Sequence, residues 1–189
     1  MATDTIGLGP QNIKVDVELS DGMVEKYEFE VMIISKTAPE FYSYKVLNKY
    51  PHDPQAYTQG LVYEGGKMYE GTGQLGKSEL RLVDFKQNKV LKSQKLEDNV
   101  FGEGVAVIGD KIYQLSWQNK RAFVYEKSTF KKLKEFSYPT EGWGLTTDGT
   151  NLILSDGTPI IYFYDPATFE LKRKIVAVDN VGTIGMLNE

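Results

Sequence analysis

Glu103-Gly104-Val105 opens a short strand, Asp110-Lys111-Ile112-Tyr113 turns into a second, Ala122-Phe123-Val124-Tyr125 runs into the polar turn Glu126-Lys127, and Leu133-Lys134-Glu135-Phe136 forms a fourth strand. Short runs of alternating β-branched and aromatic residues, separated by Gly, Asp and Asn turns, are how antiparallel strands look in sequence. The same succession occurs on either side of this stretch. Gln59-Gly60-Leu61 and Trp143-Gly144-Leu145 match the opening. Gly66-Lys67-Met68-Tyr69 and Thr150-Asn151-Leu152-Ile153 match the first turn. Val83-Asp84-Phe85 and Tyr164-Asp165-Pro166 match the third strand end. Val90-Leu91-Lys92-Ser93 and Leu171-Lys172-Arg173-Lys174-Ile175 match the fourth strand.

The central glycines Gly60, Gly104 and Gly144 are 44 and 40 residues apart, and the third strand ends Val83, Tyr125 and Tyr164 are 42 and 39 apart. Four short antiparallel strands in each repeat of forty-odd residues describe a β-propeller blade. The rival is a β-sandwich with accidental regularity, which four features repeating in register disfavour. The expected fold is therefore all-β, a β-propeller of four-stranded blades. In a propeller the first strand of each blade lines the central channel, and glycine there lets neighbouring backbones approach closely. Gln59, Glu103 and Trp143 precede the three glycines and are expected at the channel mouth. They differ chemically where the scaffold repeats, which is how a site grafted on a fold looks.

Composition narrows the chemistry. The chain has 189 residues, net charge −4 and pI near 5.2, so no nucleic-acid partner is expected. No apolar run approaches the roughly 20 residues that span a bilayer, so no membrane partner is expected. The start carries no signal-peptide pattern. With no cysteine and a single histidine, His52, disulfides, thiolate chemistry and multi-histidine metal sites are excluded. Catalysis would rest on carboxylates, amides, hydroxyls and rings; no metal or other cofactor is expected.

Residues 1–41 lie outside the repeat. Lys14-Val15-Asp16-Val17-Glu18-Leu19 and Tyr27-Glu28-Phe29-Glu30-Val31 alternate around Ser20-Asp21-Gly22, a hairpin or the remnant of a preceding β domain. Residues 42–189 are expected to form a partial propeller, with Tyr42 to Tyr50 as a candidate extra strand. Three blades fit between about Tyr57 and Val176, fewer than the four to eight that close a ring. Open blade edges invite self-association, so either the natural chain is longer or copies assemble.

Several motifs together carry a family resemblance. His52-Asp53-Pro54-Gln55-Ala56-Tyr57-Thr58-Gln59-Gly60-Leu61, Phe101-Gly102-Glu103-Gly104, Tyr113-Gln114-Leu115-Ser116-Trp117, Glu141-Gly142-Trp143-Gly144-Leu145-Thr146, Ser155-Asp156-Gly157-Thr158 and Tyr164-Asp165-Pro166-Ala167-Thr168-Phe169 resemble plant-type and bacterial glutaminyl-peptide cyclotransferases in order and spacing. The resemblance implies a five-bladed propeller, of which this chain holds about three blades and the start of a fourth. It implies a metal-independent enzyme that converts the N-terminal glutamine of peptides or proteins to pyroglutamate with release of ammonia. Glu103 is implied as the proton-transfer residue, and Trp117 and Trp143 as pocket walls with Gln59 and Phe101 beside them. Met186-Leu187-Asn188-Glu189 resembles the start of a Leu-Asn-Glu-Leu-Glu motif, which makes Asn188 a substrate contact. The family's later site residues would lie past this end, so the chain is expected to be C-terminally truncated. The family is often exported, which implies a periplasmic or extracellular location.

The chemistry is coherent with those residue types. The substrate's α-amine attacks its own γ-carboxamide, and flat apolar walls hold the chain curled. One carboxyl group of raised pKa, as desolvation would give Glu103, can take a proton from the amine and hand it to the departing ammonia. Gln59 or Asn188 can hold the developing oxyanion. Bland readings stay open on the residues alone. Glu103 between glycines also reads as a turn residue, the tryptophans as inter-blade packing, and Gln59 as a backbone partner. His52 beside Asp53 suggests a catalytic pair but is commoner as a turn stabiliser. Asp84, Glu126 and Asp165 share one repeat position, which turn formation explains. The rival functions are a non-catalytic propeller that binds peptide or protein, and an inactive fragment of the enzyme.

Overall fold

The computed structural model describes residues 6–188. Among them are fourteen strands and no helix. The chain divides into two compact units, the chain up to Tyr42 with Val176–Ile184, and Ser43–Ile175 with the chain from Gly185 on.

The first unit is built on a hairpin of β1 (Gly9–Glu18) and β2 (Val24–Ile33). Its register pairs Ile13 with Phe29 and Val15 with Tyr27, while Lys14 faces Glu28 and Asp16 faces Lys26. The strand period of two therefore gives one apolar face and one face of opposite charges.

The second unit contains three four-stranded antiparallel sheets, each a blade. Blade I is β3 (Thr58–Glu64), β4 (Lys67–Thr72), β5 (Glu79–Asp84) and β6 (Lys89–Lys95). Blade II is β7 (Gly102–Ile108), β8 (Lys111–Ser116), β9 (Arg121–Glu126) and β10 (Lys132–Ser137). Blade III is β11 (Leu145–Thr147), β12 (Leu152–Ser155), β13 (Ile160–Tyr164) and β14 (Leu171–Val176). Each blade pairs its strands in sequence order, as the repeat predicts. The segment from Tyr42 to Tyr50, a candidate extra strand, forms none. Tyr50 is instead held by its ring, edge-on to Phe85 with centroids 4.8 Å apart.

The core lies between blades rather than within them. Alternation along β8 and β9 sends Ile112, Phe123 and Tyr125 toward blade I, where Tyr69, Leu80 and Val100 meet them. Tyr113, Leu115, Ala122 and Val124 face blade III and pack on Leu152, Leu154, Tyr162 and Tyr164. Blade II is thus buried on both faces, each large apolar side chain contributing roughly 1.5–3 kcal/mol. The outermost strands β6, β10 and β14 are mostly exposed and rich in lysine, which blunts their unpaired edges.

The turn after the third strand repeats in every blade. Asp84 Oδ1 accepts the amides of Lys86 and Gln87, and Asp165 Oδ1 those of Ala167 and Thr168. Four residues past the shared position, Asn88, Phe130 and Phe169 have φ of 50°, 64° and 61°. A phenylalanine rarely adopts that conformation. Phe130 and Phe169 do so because their rings are buried in the two inter-blade cores, which outweighs a backbone cost of roughly 1–2 kcal/mol.

Candidate active site

The innermost strand of each blade carries the same irregularity. In β3, Thr58 faces Thr72 and Gly60 faces Gly71, so Gln59 has no opposite residue. In β7, Gly102 faces Ser116 and Val105 faces Gln114, so Glu103 and Gly104 together face Leu115. Before β11, the Trp143 amide donates to the Ser155 carbonyl and the Ser155 amide donates to the Gly144 carbonyl, both at 3.0 Å, so two residues again share one. Each is a β-bulge, and a bulge re-aims a side chain that regular alternation would send into a sheet face. Gln59, Glu103 and Trp143 thus sit at three equivalent bulges on adjoining strands.

The glycines beside them are there for contact. A Cβ on Gly60 would lie 2.6 Å from the Val105 amide nitrogen and 2.9 Å from Gly104 Cα. The Gly104 amide donates to the Trp143 carbonyl at 2.9 Å. Backbone therefore meets backbone where the blades converge.

Around these strands the side chains form a circuit. Gln59 and Phe101 both crowd Gly73, where a Cβ would lie 3.0 Å from Gln59 Cγ and 2.5 Å from Phe101 Cε1. Phe101 and Trp117 meet edge to face, centroids 5.7 Å apart. Trp117 Nε1 donates to Glu141 Oε2 at 2.7 Å, and Trp143 Nε1 donates to the same oxygen at 3.2 Å. The Trp143 ring lies over Gly157, where a Cβ would come within 2.9 Å of Cζ2 and Cη2. Gly157 in turn ties down the following segment: its carbonyl accepts the Met186 amide at 2.7 Å and its amide donates to the Leu187 carbonyl at 3.2 Å. Asn188, next along, lines a cavity of about 250 Å³ with Thr58, Gln59, Gly60 and Leu61, which returns the circuit to its start.

Phe101, Trp117 and Trp143 are half-buried. Glu103 is buried, with 6% of its surface exposed. Burial pushes the Tyr138 phenol up, and the negative charge of Glu103 adds to that shift. Tyr138 Oη donates to the Ser116 carbonyl and accepts the Ser116 amide, so this ring braces the inner end of β8. Glu141 is held below the usual carboxylate range, first by the Trp143 indole N–H, then by that of Trp117, with Gln118 and Lys120 adding to it.

The glutamine cyclotransferase family model matches residues 21–189. The chain belongs to the glutamine cyclotransferase family. Over 147 residues it is 39% identical to the glutaminyl-peptide cyclotransferase of Arabidopsis thaliana, a match covering 77% of this chain and 46% of that protein. It superposes on the crystal structure of Myxococcus xanthus glutaminyl cyclase with a TM-score of 0.71 and 29% identity, over 76% of this chain and 61% of that one. The chain therefore spans about half the length of the curated cyclotransferase it matches. The Neurospora crassa Pan2 WD40 domain, at 12% identity and TM-score 0.54, shares the propeller fold alone.

Within the glutamine cyclotransferase motifs, His52 does not pair with Asp53. His52 Nε2 is 2.7 Å from Glu70 Oε1, which also accepts from Thr58 Oγ1 at 2.6 Å. Asp53 instead takes the Gln55 amide and Arg81. Among the described residues no group of three or more His, Cys, Asp or Glu is placed to hold a metal ion. Three residues at the site carried no individual signal in the sequence. Glu141 was visible only as part of a motif. Tyr57, exposed and with φ of 47°, sets its ring edge-on to Phe101 at 6.1 Å. Gly157, with φ of 79°, seats Trp143. The spacing of Glu141 two residues before Trp143 hints at an anchor but says nothing about Trp117.

Proposed function

We propose that this chain carries a glutaminyl-peptide cyclotransferase site that closes an N-terminal glutamine to pyroglutamate. The reading rests on one observation: residues 59, 101, 117, 143 and 188 are linked through ring contacts, Glu141, Gly157 and a shared cavity, around inner strands of which one carries the buried Glu103. Family membership and the names of the relatives point to the same reaction.

The substrate's glutamine side chain lies between the Trp117 and Trp143 rings, with Phe101 closing one edge. Curling it there brings the α-amine to the γ-carbonyl carbon and removes much of the entropic barrier. As the new C–N bond forms, Glu103 accepts the proton leaving the amine. The tetrahedral oxyanion is held by the amides of Gln59 and Asn188. Glu103 then returns the proton to the departing nitrogen, the old C–N bond breaks, and ammonia leaves. Atoms balance with no further reactant. Burial of Glu103 keeps bulk water away from the carboxyl group that passes the proton.

The test is ammonia release from a peptide with N-terminal glutamine. Glu103→Gln should lower turnover by about 10²–10⁴-fold while the peptide still binds. Full turnover in that variant would remove Glu103 from the chemistry. Binding without any ammonia release by the wild-type chain would favour a non-catalytic peptide-binding propeller instead.

A further inference from the structure

We infer that Glu141 is a positioning residue that sets the two tryptophan walls as one unit, through both indole N–H groups on a single carboxylate oxygen.

The tryptophans stand on different elements. Trp117 follows β8 of blade II, and Trp143 precedes β11 of blade III. Phe101 touches one ring and Gly157 the other, but neither contact ties the two indoles to each other. A hydrogen bond from each ring nitrogen to a shared acceptor does so. Here both bonds end on Glu141 Oε2, at 2.7 and 3.2 Å, so one atom positions both ring nitrogens. Bonds to a charged acceptor are roughly twice as strong as neutral ones. Pointing both N–H edges at Glu141 also commits them away from any ligand.

Glu141 is itself braced. It is half-buried, Thr140 Oγ1 donates to its carbonyl at 3.0 Å, and Gly142 after it packs against Tyr138 Oη and the Ser116 carbonyl. A side chain on Gly142 would push Glu141 off its place. The groups facing the carboxylate are the two indoles, the Gln118 amide and the Lys120 ammonium; all favour the charged form. Neutralising it therefore needs a pH below the ordinary glutamate value of 4.5.

The role of Glu141 in turnover rests on the cyclotransferase reading; its hold on the indoles does not, and the experiment separates the two. The chain contains two tryptophans, and both donate to Glu141. The indole dichroism bands on the long-wavelength side of the tyrosine absorption, and acrylamide quenching of selectively excited indole emission, therefore report this site. In Glu141→Ala the indole dichroism bands should collapse and quenching should rise, with far-ultraviolet signal unchanged. Glu141→Gln, which keeps an acceptor oxygen but not the charge, should retain most of the dichroism. In the ammonia assay Glu141→Ala should lose about 10²-fold in kcat/KM, as misplacement of reacting groups by an ångström does. Glu141→Gln should recover most of that loss. Indole spectra of both variants identical to wild type would overturn the inference, as would equal kcat/KM losses in the two. Should Glu141→Ala fail to fold, Glu141→Leu, which fills the space without an acceptor, takes its place, and indole spectra unchanged in it overturn the inference. A wild-type chain that releases no ammonia yet shows the spectral changes would sink the cyclotransferase reading and leave the positioning role standing.

Discussion

Gly157→Ala should unseat Trp143, and its effect can be worked out beforehand. Two costs are separable. The backbone cost arises because Gly157 has φ of 79°, where an alanine loses roughly 1–2 kcal/mol. The contact cost arises because the new Cβ would lie 2.9 Å from Trp143 Cζ2 and Cη2 and 3.0 Å from Cε2. Carbon atoms rest at about 3.5–4.0 Å, so the ring must retreat by roughly half an ångström or more. Its Nε1 is already 3.2 Å from Glu141, so that retreat carries the bond to the edge of the useful range. Gly149→Ala supplies the control. Gly149 has φ of 88° with nothing within 4 Å of its virtual Cβ, so it bears the backbone cost without the contact. Gly149→Ala should lose about 1–2 kcal/mol in urea unfolding, and Gly157→Ala at least as much. Only Gly157→Ala should change the indole near-ultraviolet dichroism and lower kcat/KM for a glutaminyl peptide, by about tenfold to a hundredfold. If the two variants match in spectrum and turnover, the seating of Trp143 on Gly157 plays no part in the site and the reasoning fails.

Gly60→Ala is expected to be far more damaging than either, because its Cβ would meet the backbone of Gly104 and Val105 at 2.6–2.9 Å and backbone cannot turn aside. A loss of about 3 kcal/mol or more, read from the unfolding midpoint, is the expected result; a change below 1 kcal/mol would mean the inner strands are not that close. Asp148 should titrate at about 2 rather than 3.8, because its carboxylate accepts the Asn151 side-chain amide and the Asn151 and Thr150 backbone amides. A depressed folded-state pKa stabilises above the unfolded value, so its contribution is complete above about pH 4 and fades as pH falls toward 2. Nuclear magnetic resonance titration of the Asp148 carboxyl carbon checks it, and a midpoint near 3.8 would show the turn bonds are not formed.

The blade repeat was legible because its signals are local. Alternation within five or six residues and turn residues at fixed offsets specify each strand and hairpin without reference to distant parts of the chain. Hence β3 to β14 pair in sequence order as expected, and Asp84 and Asp165 cap their turns as their repeat position suggests. The interest of Gln59, Glu103 and Trp143 was legible too, since they break a chemical repeat at one structural position. The family motifs then supplied Phe101, Trp117 and Asn188.

The bulges, the circuit and its anchor required the folded chain. Whether Gln59 is an extra residue depends on what faces it across β4, and register is a property of two strands. Phe130 and Phe169 accept a left-handed backbone only because inter-blade cores receive their rings, which no local propensity foretells. Glu141 bridges Trp117 and Trp143 only because blades II and III converge, bringing a residue 24 positions from Trp117 onto its ring nitrogen. Chain-local patterns thus determined the strands and their order. The convergence of separate blades, set by long-range packing and backbone contact at glycine, decided which side chains face one another.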